Sequence, residues 1–186
     1  MADAERIILG IDPGTNLLGF GVIRVLDRKP EFVDMGVLDM RKDNGAFEKL
    51  LQIHDTVIET CKTYRPTEIA LESPIYRLNA QSLIKLSRAQ GAAVIAAMEY
   101  GITPCEYAPS LAKQAITGNG AASKTQVANV LKSTLGFDIK PEHLDATDAL
   151  AIAMCHFYQT ANPLASSGSG SGSWKKFLRD HPDRVK

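Results

Sequence analysis

The sequence predicts an α/β domain built on a five-stranded mixed sheet, flanked by helices, whose first three strands form an antiparallel meander. Three observations carry this. The chain opens on two apolar, Gly-rich segments joined by the turn Pro13-Gly14-Thr15-Asn16. From residue 46 onward, segments of helical spacing alternate with short apolar runs. Strands separated by helices add in parallel through crossover connections.

Each element follows from local pattern. Arg6–Ile11 and Leu18–Leu26 read as the first two strands, and Glu31–Met40 as a third after the turn Asp27-Arg28-Lys29-Pro30. Ala46–Tyr64 places Phe47, Leu50, Leu51, Ile53, Val57, Ile58 and Cys61 at helical spacing. Thr67–Glu72 ("TEIALE") is a short strand closed by Ser73-Pro74. A long helix from Asn79 to Tyr100 stops at Gly101, and Thr103–Tyr107 is the fifth strand. Helices follow Pro109 and Ser123, the second opened by the capping-box pair Ser123 and Gln126. The last strong helix runs from Pro141 to about Tyr158. Residues 1–162 are expected to form one domain. Residues 163–186 read as a Ser/Gly linker and a short amphipathic tail carrying Trp174.

Bulk properties narrow the class. A chain of 186 residues, 45% hydrophobic and 23% charged, suits a soluble domain large enough to bury a core. No apolar run approaches the ~20 residues of a membrane helix. The acidic opening Met1-Ala2-Asp3-Ala4-Glu5 lacks a signal-peptide pattern, so a cytoplasmic protein is expected. Cys61, Cys105 and Cys155 are read as reduced core thiols. Of the four histidines, His54 and His181 read as surface residues, His156 as a helix-end residue beside the core, and His143 as packing at a helix start. Net charge is zero but unevenly spread: residues 1–76 carry 9 basic and 13 acidic side chains, residues 77–132 carry 6 and 2. Such segregation suits a polyanion held near a carboxylate cluster, and also arises by chance on solvated faces.

The carboxylates carry the chemistry. Asp12 ends a buried strand, where an uncompensated charge is costly. It either caps its turn or binds a metal. Glu72 ends another strand. Asp145 and Asp148 are three apart at a helix start and share a face, a place also favoured by the helix dipole alone. Together they form an all-oxygen set of the kind Mg²⁺ prefers. Two such ions can activate water and stabilise the leaving oxygen in phosphodiester hydrolysis. Asp12 is therefore best read as a metal ligand.

Five blocks, "GIDPGTNLLGFGVI", "ALES", "KLSRAQG", "CEYAPSLAKQAITGNGAASKTQV" and "DATDALAIA", resemble in order the RuvC-type Holliday junction resolvases of bacteria, from about Ile7 to His156. The resemblance implies a ribonuclease H-like fold and a homodimer on a four-way DNA junction. It implies paired nicks during recombination and repair, with Mg²⁺ (two ions per site, replaceable by Mn²⁺), and work in concert with RuvA and RuvB. It puts the four acidic positions on Asp12, Glu72, Asp145 and Asp148, and phosphate-contacting lysines on Lys113 and Lys124, with Gly118 and Gly120 in the tight loop between. Lys85 and Arg88 of "KLSRAQG" are further candidates for DNA contact. The family shows a Phe three residues after its strand-end acid; here Ile75 stands there with Tyr76 beside it, and either could meet the bases. The homodimer is expected through the helix Asn79–Tyr100, thin at Ala89, Gly91, Ala92, Ala93, Ala96 and Ala97.

Alternatives are another ribonuclease H-like nuclease or a catalytically weak junction-binding protein. An actin-like ATPase or sugar kinase shares a Gly-rich first hairpin but needs two such domains and a second Asp-Gly-Gly-type loop, for which this chain is too short.

Overall fold

The computed structural model describes residues 5–42, 45–74, 79–138 and 146–161. Its elements, in chain order, are β1 (Arg6–Pro13), β2 (Leu17–Leu26), β3 (Lys29–Asp39), α1 (Ala46–Tyr64), β4 (Glu68–Glu72), α2 (Ala80–Glu99), β5 (Cys105–Tyr107), α3 (Pro109–Thr117), α4 (Lys124–Leu135) and α5 (Ala146–Ala161). The sheet order is β3-β2-β1-β4-β5. β1, β2 and β3 pair antiparallel, while β4 lies parallel to β1 and β5 parallel to β4. This is the expected mixed sheet. The expected linker and tail, with Trp174 and His181, lie outside the described residues, as do Asp145 and His143 at the start of the last helix.

Local chemistry explains the boundaries. The β2–β3 hairpin turns on Asp27 and Arg28, both left-handed at φ 47° and 62°, the handedness a two-residue hairpin requires. Lys29 and Pro30 therefore join β3 rather than the turn; Pro30 is tolerated because β3 is an edge strand. Pro109 opens α3, where its missing N–H costs nothing. Ser123 and Gln126 cap α4 reciprocally.

Strand alternation sends β1 to two cores. Leu9 and Ile11 pack with α1 and α2, against Ile53, Val57 and Ala93. Ile8 faces the other side, with Leu131 of α4 and Leu150 and Met154 of α5. On this second face α5 lies against backbone. A Cβ at Gly10 would stand 2.1 Å from the Ala149 carbonyl oxygen, and one at Gly21 2.6 Å from Leu150 Cα. Only glycine lets helix and sheet approach this closely. No helix among the described residues is long and apolar enough to cross a membrane.

Two sequence expectations change. Cys61 and Cys155 are buried, but Cys105 is exposed because it begins the three-residue edge strand β5. His156 is not a bystander at a helix end. It is buried, with Nδ1 2.8 Å from the Tyr107 hydroxyl and Nε2 2.7 Å from Glu68 Oε2, while Arg6 grips Glu68 at 2.6 and 2.7 Å. The Arg6 guanidinium, aided by His156, holds the Glu68 carboxyl down at about 2. In α2, Ala89, Ala93, Ala96 and Ala97 face inward and pack within the domain, while Gly91 and Ala92 are half-buried.

Gly10→Ala should destabilise the fold by ~1–3 kcal/mol or more, since the added methyl meets backbone rather than a flexible side chain. Urea unfolding followed by circular dichroism measures it; a midpoint equal to that of the parent chain would mean α5 is free to retreat.

Candidate active site

Parallel pairing puts two carboxylates at one end of the sheet. Ile11 of β1 lies beside Leu71 of β4, so Asp12 and Glu72, the next residues, stand side by side where these strands end. Alternation then fixes the face. Gly10 touches α5, and Asp12, two residues on, projects to that same side. Ala70 packs with Ile152 of α5 and Ala112 of α3, so Glu72 projects there as well. Asp148, in the first turn of α5, meets them from above.

The three carboxylates are electrostatically joined. Burial pushes the Glu72 carboxyl up to about 8; the negative charges of Asp12 and Asp148 push in the same direction, against Lys113 and Lys124. Lys124, at the start of α4, reaches Asp148 with Nζ 2.9 Å from Oδ2. Lys113 sits in the middle of α3, whose Gly118 ends the helix in a left-handed conformation at φ 74°. Gly120 approaches the Ser110 carbonyl so closely that a Cβ would lie 3.0 Å from it. The tight loop between α3 and α4 thus brings both lysines to one cluster.

Other expected residues fall elsewhere. Lys85 and Arg88 lie on α2, on the opposite face of the sheet, beside a cleft that also holds Lys49 and Asn16. Lys49 was not singled out in the sequence; its place on a helix otherwise read for its apolar spacing gave no signal. Ile75, Tyr76 and Asp145 are outside the described residues. Among the described residues, no three Asp, Glu, His or Cys side chains are placed to hold a metal ion together. The donor chemistry nonetheless suits a hard divalent cation: Asp12 and Asp148 act on Glu72 electrostatically, and that repulsion is what such an ion would relieve.

The raised Glu72 value carries a pH consequence for the metal-free protein. Above about pH 4.5 the unfolded chain releases this proton while the folded chain keeps it until about pH 8. Stability from this group is full below the first value and is lost as pH rises through the second. Glu72→Gln, neutral at every pH, should match the parent at pH 4 and exceed it by ~1 kcal/mol or more at pH 9 in chelator. Unfolding midpoints across pH measure this; a constant difference between the two proteins would show that Glu72 ionises normally.

Comparison with known proteins identifies the family. The family model described as Crossover junction endodeoxyribonuclease RuvC matches residues 8–156. The protein of that name from Bacteroides fragilis is 47% identical over 184 residues, covering 98% of this chain and 97% of its own. That of Porphyromonas gingivalis is 45% identical, with both chains covered fully. Among solved structures, T. thermophilus RuvC in complex with Holliday junction substrate superposes with a TM-score of 0.73 at 35% identity, covering 84% of this chain and 96% of the other. The yeast mitochondrial Holliday junction resolvase Ydc2, at 15% identity and a TM-score of 0.59, shares the fold. The fold is thus the ribonuclease H-like one expected. On these grounds the chain belongs to the RuvC family of crossover junction endodeoxyribonucleases.

Proposed function

We propose that Asp12, Glu72, Asp148 and, beyond the described residues, Asp145 hold divalent metal for phosphodiester hydrolysis, and that this cuts two like-oriented strands of a four-way junction. The chain is a Holliday junction endonuclease by its family, acting in DNA recombination and repair. Nucleases of this family are metal-dependent. The observation that supports the residue assignment is the raised Glu72 carboxyl, which links burial with the charges of Asp12 and Asp148 at the ends of two parallel strands.

The all-oxygen set favours Mg²⁺, two ions per site, with Mn²⁺ as a substitute. When bound, such ions supply an activated water and neutralise the leaving oxygen. The chain's own part is to place phosphate and carboxylates in one frame. Lys113 and Lys124 lie within electrostatic reach of Glu72 and would hold phosphates beside the scissile bond. Lys124 would exchange its hold on Asp148 for a phosphate as DNA and metal enter.

Paired cutting calls for two sites related by two-fold symmetry, hence a homodimer. The inward-facing alanines of α2 do not support this, but its outer face does. Ile84, Ile95 and Met98 are exposed, at 52%, 63% and 57%, and a Cβ at Gly91 would meet nothing within 4 Å. These positions share one stripe of the helix. RuvA and RuvB are proposed as the proteins that deliver the junction.

Two outcomes test the reading. Asp12→Asn, Glu72→Gln and Asp148→Asn should each lower cleavage of a synthetic four-way junction in Mg²⁺ by ~10²-fold or more, a loss of ~2.7 kcal/mol of transition-state stabilisation. Junction affinity, which comes mainly from basic groups, should remain. Asp148→Asn cutting at the parent rate would remove it from the site. Ile95→Glu should give monomers in sedimentation velocity that nick single strands but seldom make paired cuts. Paired cutting by a monomer would rule out the dimer.

A further inference from the structure

A cleft on the other face of the sheet lies outside the carboxylate cluster. It has a volume of about 270 Å³ and opens between the β1–β2 turn, the start of α1 and the first half of α2. Lys49, Lys85 and Arg88 line it, together with Asn16 and Thr15, and among the described residues no acidic side chain does. Lys49 Nζ donates to Asn16 Oδ1 at 2.8 Å, which points its ammonium at the turn. Among the described residues no carboxylate pairs with Lys85 or Arg88. Three cations drawn from two helices, with no acidic side chain among the described residues that line the cleft, mark an anion site.

The position of the cleft says which anion. Asn16 is four residues from Asp12, so its Cα lies within ~14 Å of the Asp12 Cα even if the chain between were fully extended. Successive phosphates along one strand of a duplex advance ~3.4 Å along the axis, so the cleft is in range of the first few beyond the cut. The two cationic groups lie on opposite faces of the sheet. Lys113 and Lys124 come from α3 and α4, on the α5 side, where Asp12 and Glu72 also project. Lys49, Lys85 and Arg88 come from α1 and α2, which cover the other face. A strand gripped by both would have to cross the sheet's end and pass over the carboxylates on the way.

We infer that this cleft holds a backbone phosphate of the cut strand, on the far side of the carboxylates from Lys113 and Lys124. The inference rests on the nuclease reading above and adds a path: the strand runs from α3 and α4 across the ends of β1 and β4 to Lys49, Lys85 and Arg88. The cleft thereby fixes which linkage stops over the metal ligands, and Lys49 and Lys85 act as positioning residues.

The test uses the full chain and a four-way junction with a single neutral methylphosphonate linkage, moved one step at a time along the cut strand. Binding is read in chelator and cleavage in Mg²⁺. Lys49→Ala combined with Lys85→Ala should weaken binding ~10-fold or more and lower the slope of log affinity against log salt by about one. The neutral linkage should cost the parent protein ~10-fold at one position within about four nucleotides of the cut, and cost the double variant nothing further there. Arg88→Ala alone should act in the same direction, with Arg88→Lys recovering part of the loss. Equal added losses at every linkage, or parent-like binding and salt slope in the variants, would overturn the assignment. So would a change of oligomeric state in sedimentation, which would make the cleft part of a subunit interface. A parent protein that does not cut the junction refutes the nuclease reading, while the salt slopes and linkage scan still decide the cleft.

Discussion

The close approach of α5 to the backbone of β1 and β2 is the constraint on which the rest of the structure depends. Gly10 and Gly21 leave no side chain between helix and sheet, and the helix answers with Ala149, Leu150 and Ala153. Packing of this kind leaves little freedom in height or rotation. The first turn of α5 is therefore held over the ends of β1 and β4, and Asp148 with it. A larger residue at either glycine would lift the helix and part the carboxylates, although neither glycine touches them.

That placement explains why a fold can tolerate the cluster. Asp12 and Glu72 emerge where the parallel pair ends, so their charges sit at the rim of the core rather than inside it. The rim is still dry enough for burial to raise Glu72. Lys113 and Lys124, carried by α3 and α4, offset part of the repulsion. The acidic and basic groups act on one another: Asp12 and Asp148 raise the Glu72 carboxyl, and Lys113 and Lys124 lower it.

A polar network fastens the start of the same strands. Arg6 begins β1 and Glu68 begins β4; His156, in the second half of α5, joins Glu68 to the hydroxyl of Tyr107, whose backbone pairs with Glu72 at the end of β5. The ionised Glu68 carboxylate is fully paired, so the network stiffens the sheet without leaving a buried polar group exposed to loss. The five-residue strand β4 is thus tied at Glu68 and crowded at Glu72.

The sequence by itself determined the elements and the family. Period-two and helical spacing, the DPGT turn and the Ser123–Gln126 capping box are local signals, and local signals survive without tertiary context. The strand ends carrying Asp12 and Glu72 were legible for the same reason. What only the tertiary structure decided depends on which side of an element faces its neighbours. The alanines of α2 are equally suited to a sheet or to a second copy, and packing chose the sheet. Cys105 reads as a core thiol until β5 turns out to be a three-residue edge strand. His156 carries no pattern, because Glu68 and Tyr107 reach it from positions 88 and 49 residues away. Lys49 looked like any solvated lysine on an amphipathic helix. It became notable only when the β1–β2 turn and α2 closed a cleft around it, since a cluster of like charges from distant segments has no period to read.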